Sequence, residues 1–312
     1  MEFALTHRHA FAVTLCIALA ACAQPAVQRD ALPRAASLPE PALALTAPDG
    51  VGAFLTCLRE RGVTIVSAHR GGPMAGYPEN ALETMAARLA EAPMMLEIDV
   101  RQTADGTYVL FHDDDLDQDT DGTGPLASRS LAELETVRYD IGGYGISTLE
   151  EVLDWSKGRA ILQLDVKRGV AFEPLLDWLE ARGAQDRALV ITYNADDAVT
   201  VAQNSDLLIS ASINTEDDLA AYEASGVPSD RMTAWTGLQA PRPALWRYLG
   251  ESGISANYGT YATLDEQDGS AEAYAALASA GLHILSSDRP TFAYEALQRQ
   301  QDFPAAARAC SG

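Results

Sequence analysis

The chain is 312 residues long, with 22 Lys and Arg against 44 Asp and Glu, a formal net charge of −22. A hydrophobic share of 47% against 21% charged residues supplies a large core and excludes wholesale disorder. The acid excess, with Lys157 and Lys167 the only lysines, excludes a nucleic-acid binder and a polybasic attachment to lipid, because both depend on clustered positive charge.

The first predicted element is an export signal. His7, Arg8 and His9 precede an apolar run from Ala10 to Ala21. That run is shorter than the roughly 20 residues a membrane span needs and matches a signal h-region. Leu19-Ala20-Ala21-Cys22 resembles a bacterial lipobox. Residues 1–21 are therefore expected to be removed and Cys22 to carry lipid, giving an exported protein that is periplasmic or anchored at the outer membrane. Ordinary cleavage after an alanine is the alternative. Residues 22–49 carry Pro25, Pro33, Pro39, Pro41 and Pro48 with little apolar periodicity and read as a tether. The folded domain is expected over residues 50–312.

Beyond the tether, β-rich runs alternate with amphipathic stretches. Strands are predicted at 63–68, 94–100, 160–166, 188–193, 207–213, 231–236, 253–258 and 282–287. Helices are predicted at 80–91, 148–157, 172–182, 195–203, 216–225, 243–251, 270–280 and 291–300. Several strands are continuous apolar runs, as parallel strands covered on both faces require. Thr148 with Glu151, and Thr215 with Asp218, have capping-box spacing. Eight such strands over about 250 residues suit a (β/α)8 TIM barrel. A doubly wound sheet is the competing fold, and no Gly-rich nucleotide fingerprint follows the first strand to favour it. A β-hairpin from Val100 to His112, turning at Asp105-Gly106, interrupts the alternation after the second strand. The long loop that follows, with a Gly/Asp-rich stretch at 117–124, is expected to overhang the top of the barrel, where loops carry function.

Glu97 and Asp99 stand two apart near the end of the second strand, so both carboxylates share a face; Asp165 and Lys167 repeat this on the third barrel strand. Residues at the C-terminal ends of barrel strands converge on one mouth. Two unit charges about 4 Å apart repel by roughly 4 kcal/mol at an effective dielectric near 20, so three converging carboxylates call for a hard divalent cation. One such pair alone would read as a surface feature. Of five histidines, His7 and His9 leave with the signal, and His69, His112 and His283 remain. His69 ends the first strand and His112 ends the hairpin, aimed at the same mouth, which suits an acid/base pair. His283 begins the last strand and reads as structural.

The ordered set His69-Arg70-Gly71, Pro78-Glu79-Asn80, Glu97-x-Asp99-Val100, Thr103-x-Asp105-Gly106 and His112-Asp113 resembles the glycerophosphodiester phosphodiesterase family. The similarity continues through Asp121-Gly122-Thr123-Gly124, Ser130-Leu131-x-Glu133-Leu134, Thr148-Leu149-Glu150-Glu151, Asp165-x-Lys167 and Ser287-Asp288-Arg289-Pro290. The resemblance implies a (β/α)8 barrel that uses a divalent metal to hydrolyse phosphodiesters such as glycerophosphocholine, releasing glycerol 3-phosphate and an alcohol. It implies His69 and His112 as the acid/base pair and Glu97, Asp99 and Asp165 as metal ligands. Arg70 and Lys167 would contact the phosphate, and Glu79 would lie beside the metal or a substrate hydroxyl. Export favours magnesium or calcium. No protein partner is implied beyond the small substrate.

Four departures bear on the substrate. Asp165 stands where the family usually has Glu, Ala81 where Thr follows Pro-Glu-Asn, and Gln118 where an Arg is expected. The family's Trp-Thr-Val-Asn is absent from Ile254-Ser255-Ala256-Asn257-Tyr258. Asp165 makes a sphingomyelinase D-like phospholipid phosphodiesterase the alternative; a non-catalytic surface-binding lipoprotein is the other. Zinc is disfavoured, since neither Cys57 nor Cys310 has ligand spacing to a histidine. These two cysteines flank the barrel sequence, and closure of a barrel brings its chain ends together, so an exported protein would join them in a disulfide.

Overall fold

Parallel pairing closes the sheet into a barrel in the computed structural model, which describes residues 38–311. Cys22, the signal segment and the first part of the tether lie outside the described residues. The chain runs α1 (Val51–Glu60), β1 (Ile65–Ala68), α2 (Leu82–Glu91), β2 (Met95–Gln102), β3 (Tyr108–Leu110), α3 (Leu131–Leu134), α4 (Leu149–Ser156) and β4 (Leu162–Val166). It continues α5 (Phe172–Glu180), β5 (Ala188–Thr192), α6 (Ala195–Asn204), β6 (Leu208–Ser212), α7 (Glu216–Ala224), β7 (Met232–Trp235) and α8 (Pro243–Glu251). The last elements are β8 (Ser255–Gly259), α9 (Ala271–Ser279), β9 (Ile284–Ser287), α10 (Pro290–Leu297) and α11 (Phe303–Cys310).

Strand β1 pairs in parallel with both β2 and β9, so eight parallel strands close on themselves. The predicted hairpin is present: β3 runs antiparallel to the C-terminal extension of β2, with Arg101 opposite Val109. The loop beyond it folds around its own small core of Phe111, Leu116, Leu126, Leu131, Leu134 and Tyr139. The capping boxes at Thr148/Glu151 and Thr215/Asp218 both form, and Ser130 with Glu133 makes a third. No helix among the described residues is long and apolar enough to cross a membrane.

Period two divides the barrel strands. Leu96, Ile98, Leu162, Leu164, Val190 and Ile209 belong to the main core with the outer helices. On the alternate face, Glu97 lies opposite Gln163 and Asp99 opposite Asp165. The N-terminal end of the barrel is apolar, with Ile65, Met95, Ile161, Leu189 and Ile284 packed against Val51, Phe54 and Leu58 of α1 and Phe303 of α11.

The packed chain begins ahead of residue 50, so the stretch expected as tether over residues 22–49 is in part folded. Leu45 and Ala47 are buried in that same apolar end, with Leu43 packed beside them. The Ala42 and Leu45 amides donate to the carbonyls of Leu89 and Arg159 at 2.8 and 3.0 Å. The Leu43, Leu45, Ala47 alternation is a strand-like pattern that proline density masks. Helices α1 and α11 likewise lie outside the predicted elements, and the Cys57 and Cys310 sulfurs they carry are bonded, with Cα atoms 5.7 Å apart.

Candidate active site

The first loop of the site depends on unusual backbone. After β1 the chain turns sharply through His69–Gly71, with Arg70 in the left-handed region at φ 51° and ψ 36°. Gly72 follows at φ 76°, and a Cβ there would stand 3.0 Å from Arg88 Cγ and 3.2 Å from Ala68 Cβ. The turn points the Arg70 amide at Glu97 Oε2, 2.8 Å away. It also brings the guanidinium within 2.8 Å of both Glu79 Oε2 and His112 Nε2. Asn80, a second left-handed residue at φ 57°, is fully buried. Its amide donates to Asp99 Oδ2 at 2.7 Å and accepts from the Asp99 N–H at 2.9 Å.

Glu97, Asp99 and Asp165 each direct a carboxylate oxygen into one cluster, these atoms all within 4.8 Å of one another. Lys167 bridges two of them, its Nζ 2.7 Å from Asp99 Oδ1 and 2.6 Å from Asp165 Oδ2. Burial drives Glu97 well above the ordinary carboxylate range, and the charges of Asp99 and Asp165 add to the effect. Burial also pushes Asp99 up, but Lys167 and the Asn80 amide outweigh it and leave Asp99 lowered. One lysine thus offsets only part of the clustered negative charge. An all-oxygen, buried, under-neutralised donor set fits a hard divalent cation.

Both histidines stand at this cluster, each with a carboxylate on Nδ1: Asp288 on His69 at 2.7 Å and Asp113 on His112 at 2.6 Å. Because a guanidinium only donates, the Arg70 contact requires a lone pair on His112 Nε2, which places that ring's proton on Nδ1 facing Asp113. Asp288 is itself held by its amide, which donates to buried Asp265 at 2.8 Å. Asp265 also accepts from the Ser287, Thr260 and Tyr274 hydroxyls. His283 lies at the opposite end of β9, where its Nδ1 accepts from the Ala256 amide at 3.0 Å.

A cavity of about 250 Å³ opens beside the cluster, lined by His69, Glu97, Asp165, Tyr193, Trp235 and Tyr261 among others. Tyr261 stacks on the His69 ring at 4.0 Å, and Trp235 continues the stack at 6.2 Å. The Tyr193 hydroxyl donates to Asp165 Oδ1 at 2.6 Å. The structure therefore brings together His69, Arg70, Glu79, Glu97, Asp99, His112, Asp165 and Lys167, while Cys57 and Cys310 sit at the closed end. Asn80, Asp113 and Asp288 stand in the sequence motifs without a role of their own, and no motif contains Tyr193, Tyr261 or Asp265. Asp113 and Asp288 had a readable signal, since each directly follows a strand or hairpin end; Asp265 had none.

The fold and its mouth define a class: (β/α)8 barrels with an acidic oxygen-donor cluster flanked by two carboxylate-supported histidines. The Glycerophosphoryl diester phosphodiesterase family model matches residues 69–227, and the chain belongs to that family. A glycerophosphoryl diester phosphodiesterase from Parabacteroides distasonis superposes with a TM-score of 0.73 at 30% identity, covering 77% of this chain and 87% of that one. A glycerophosphodiester phosphodiesterase of Caldanaerobacter subterraneus is 27% identical over 143 residues, 42% of this chain and 58% of that protein. Human glycerophosphodiester phosphodiesterase 1 is 32% identical over 107 residues, 32% of each chain. The chain spans about half the length of the curated relatives it matches.

Proposed function

We propose that the chain hydrolyses small glycerophosphodiesters, releasing glycerol 3-phosphate and an alcohol. The observation that carries this reading is the pair of carboxylate-supported histidines set against one acidic cluster, His69 with Asp288 and His112 with Asp113. The carboxylates grip each ring at Nδ1 and fix its orientation, which suits an acid/base pair. One histidine takes the proton from the attacking water and the other gives a proton to the departing alkoxide; where a vicinal substrate hydroxyl attacks instead, water opens the resulting cyclic phosphate in a second step. Arg70 and Lys167 supply positive charge to the phosphate oxygens. Glu79, held at 2.8 Å by Arg70, aligns that guanidinium and borders the substrate. Glu97, Asp99 and Asp165 would hold a magnesium or calcium ion. Such an ion supplies Lewis-acid stabilisation of charge on the phosphoryl oxygens.

Assay of a phosphodiester panel with EDTA-treated protein, each metal then added back, tests the proposal. Turnover of glycerophosphocholine restored by magnesium or calcium is expected; full activity in excess EDTA would overturn the metal assignment. Export and lipidation at Cys22 complete the reading, supported by the lipobox-like Leu19-Ala20-Ala21-Cys22. Labelled palmitate incorporated by the full chain but not by Cys22→Ser is the expected result.

A further inference from the structure

Among the described residues, Tyr193 is a large aromatic side chain left 59% exposed, so core packing does not account for its position. It follows β5 in the β5–α6 loop, and its hydroxyl reaches down to Asp165 Oδ1 at 2.6 Å, a carboxylate that is itself only 7% exposed. The other oxygen of Asp165 is taken by Lys167 at 2.6 Å. A carboxylate held at both oxygens cannot rotate about its last bond. Each oxygen has two lone-pair sites, so a single hydrogen bond leaves room for a cation on the same atom.

We propose that Tyr193 is a positioning residue for the cation site, locking Asp165 in the orientation in which it completes the ligand set with Glu97 and Asp99. This rests on the cation reading given above. Asp165 is one methylene shorter than a glutamate and presents its oxygens from closer to its strand. An external clamp from the neighbouring loop therefore controls where its second oxygen points. Lys167 alone does not do this, because its ammonium is shared with Asp99 at 2.7 Å. Tyr193 also lines both the 250 Å³ cavity and a second groove of about 670 Å³ with Arg168, Phe172 and Asn194. Tyr193 thus borders two spaces, and phenylalanine would keep the ring while removing only the hydroxyl.

Metal binding of full-length protein separates the possibilities. Manganese titration followed by electron paramagnetic resonance should show one bound ion per chain. Tyr193→Phe should weaken that affinity about 10- to 100-fold, the usual effect of losing a hydrogen bond to a metal ligand. Its thermal midpoint in EDTA should match that of the unsubstituted protein, since the ring stays in place and Asp165 keeps its Lys167 partner. Equal manganese affinity in the two proteins would overturn the role of Tyr193 and leave the cation site standing. Weaker binding accompanied by a lower midpoint in EDTA would overturn it too, by making the bond merely structural. Absence of manganese binding by the unsubstituted protein would instead overturn the cation reading itself.

Discussion

His112 shares its two nitrogens between Arg70 and Asp113, whereas His69 is held by Asp288 on Nδ1 and by the Tyr261 ring stacked on its face. Replacing either histidine by alanine should lower turnover about 100-fold or more while leaving the thermal midpoint nearly unchanged. Asp99→Asn should abolish turnover and manganese binding with little loss of folding, as read by circular dichroism, because Asn keeps the shape that Asn80 grips. His283 provides the contrast. Burial, with the nearby Arg59 charge adding, pushes it down to about 4. In the unfolded chain it titrates near 6.5, so between these values the unfolded state binds a proton that the folded state does not. Unfolding free energy is therefore undiminished above about pH 6.5 and falls, by at most about 3 kcal/mol from this group, as pH drops towards 4. His283→Gln should leave turnover nearly intact and flatten that part of the pH dependence in urea melts.

At the scale of elements, the closed end of the barrel is sealed by parts that carry no chemistry. Segment 38–49, α1 and α11 share one apolar cluster with the strand starts, and the Cys57–Cys310 bond ties α1 to α11 across a separation of 253 residues. A loop of that size allows stabilisation of up to about 5 kcal/mol in the chain-entropy account. Replacing both cysteines by serine should lower stability by roughly 2–5 kcal/mol in guanidinium melts. Active-site titrations should stay unchanged, because the mouth lies at the other end of the strands. Thiol counting on denatured protein prepared without reductant should find neither cysteine free; two free thiols would rule the bond out.

For the whole molecule, the net charge of −22 sets the long-range field. Charges of that sign repel anionic surfaces, an effect screened beyond about 8 Å at physiological salt. Small soluble or zwitterionic diesters should therefore be turned over faster than anionic vesicle lipids, and added salt should narrow the gap. Greater activity on sphingomyelin or phosphatidylglycerol vesicles than on glycerophosphocholine would favour the sphingomyelinase D-like alternative that Asp165 raises.

Sequence by itself determined the barrel and the chemical core of its mouth. Alternating apolar strands and amphipathic helices leave few other ways to bury both sheet faces. Period two puts Glu97 with Asp99 and Asp165 with Lys167 on the interior side, and His69 and His112 close their strand and hairpin. Tertiary structure alone decided who meets whom across the barrel. His69 finds Asp288 219 residues away because β1 pairs with β9, and Asp165 finds Tyr193 because β4 lies beside β5 in a fixed register. Only packing decided that Leu45 and Ala47, in a proline-rich stretch, cover the strand starts. Periodicity reports which face a side chain takes, whereas its partner depends on closure and register, which are settled by long-range burial that no local pattern carries.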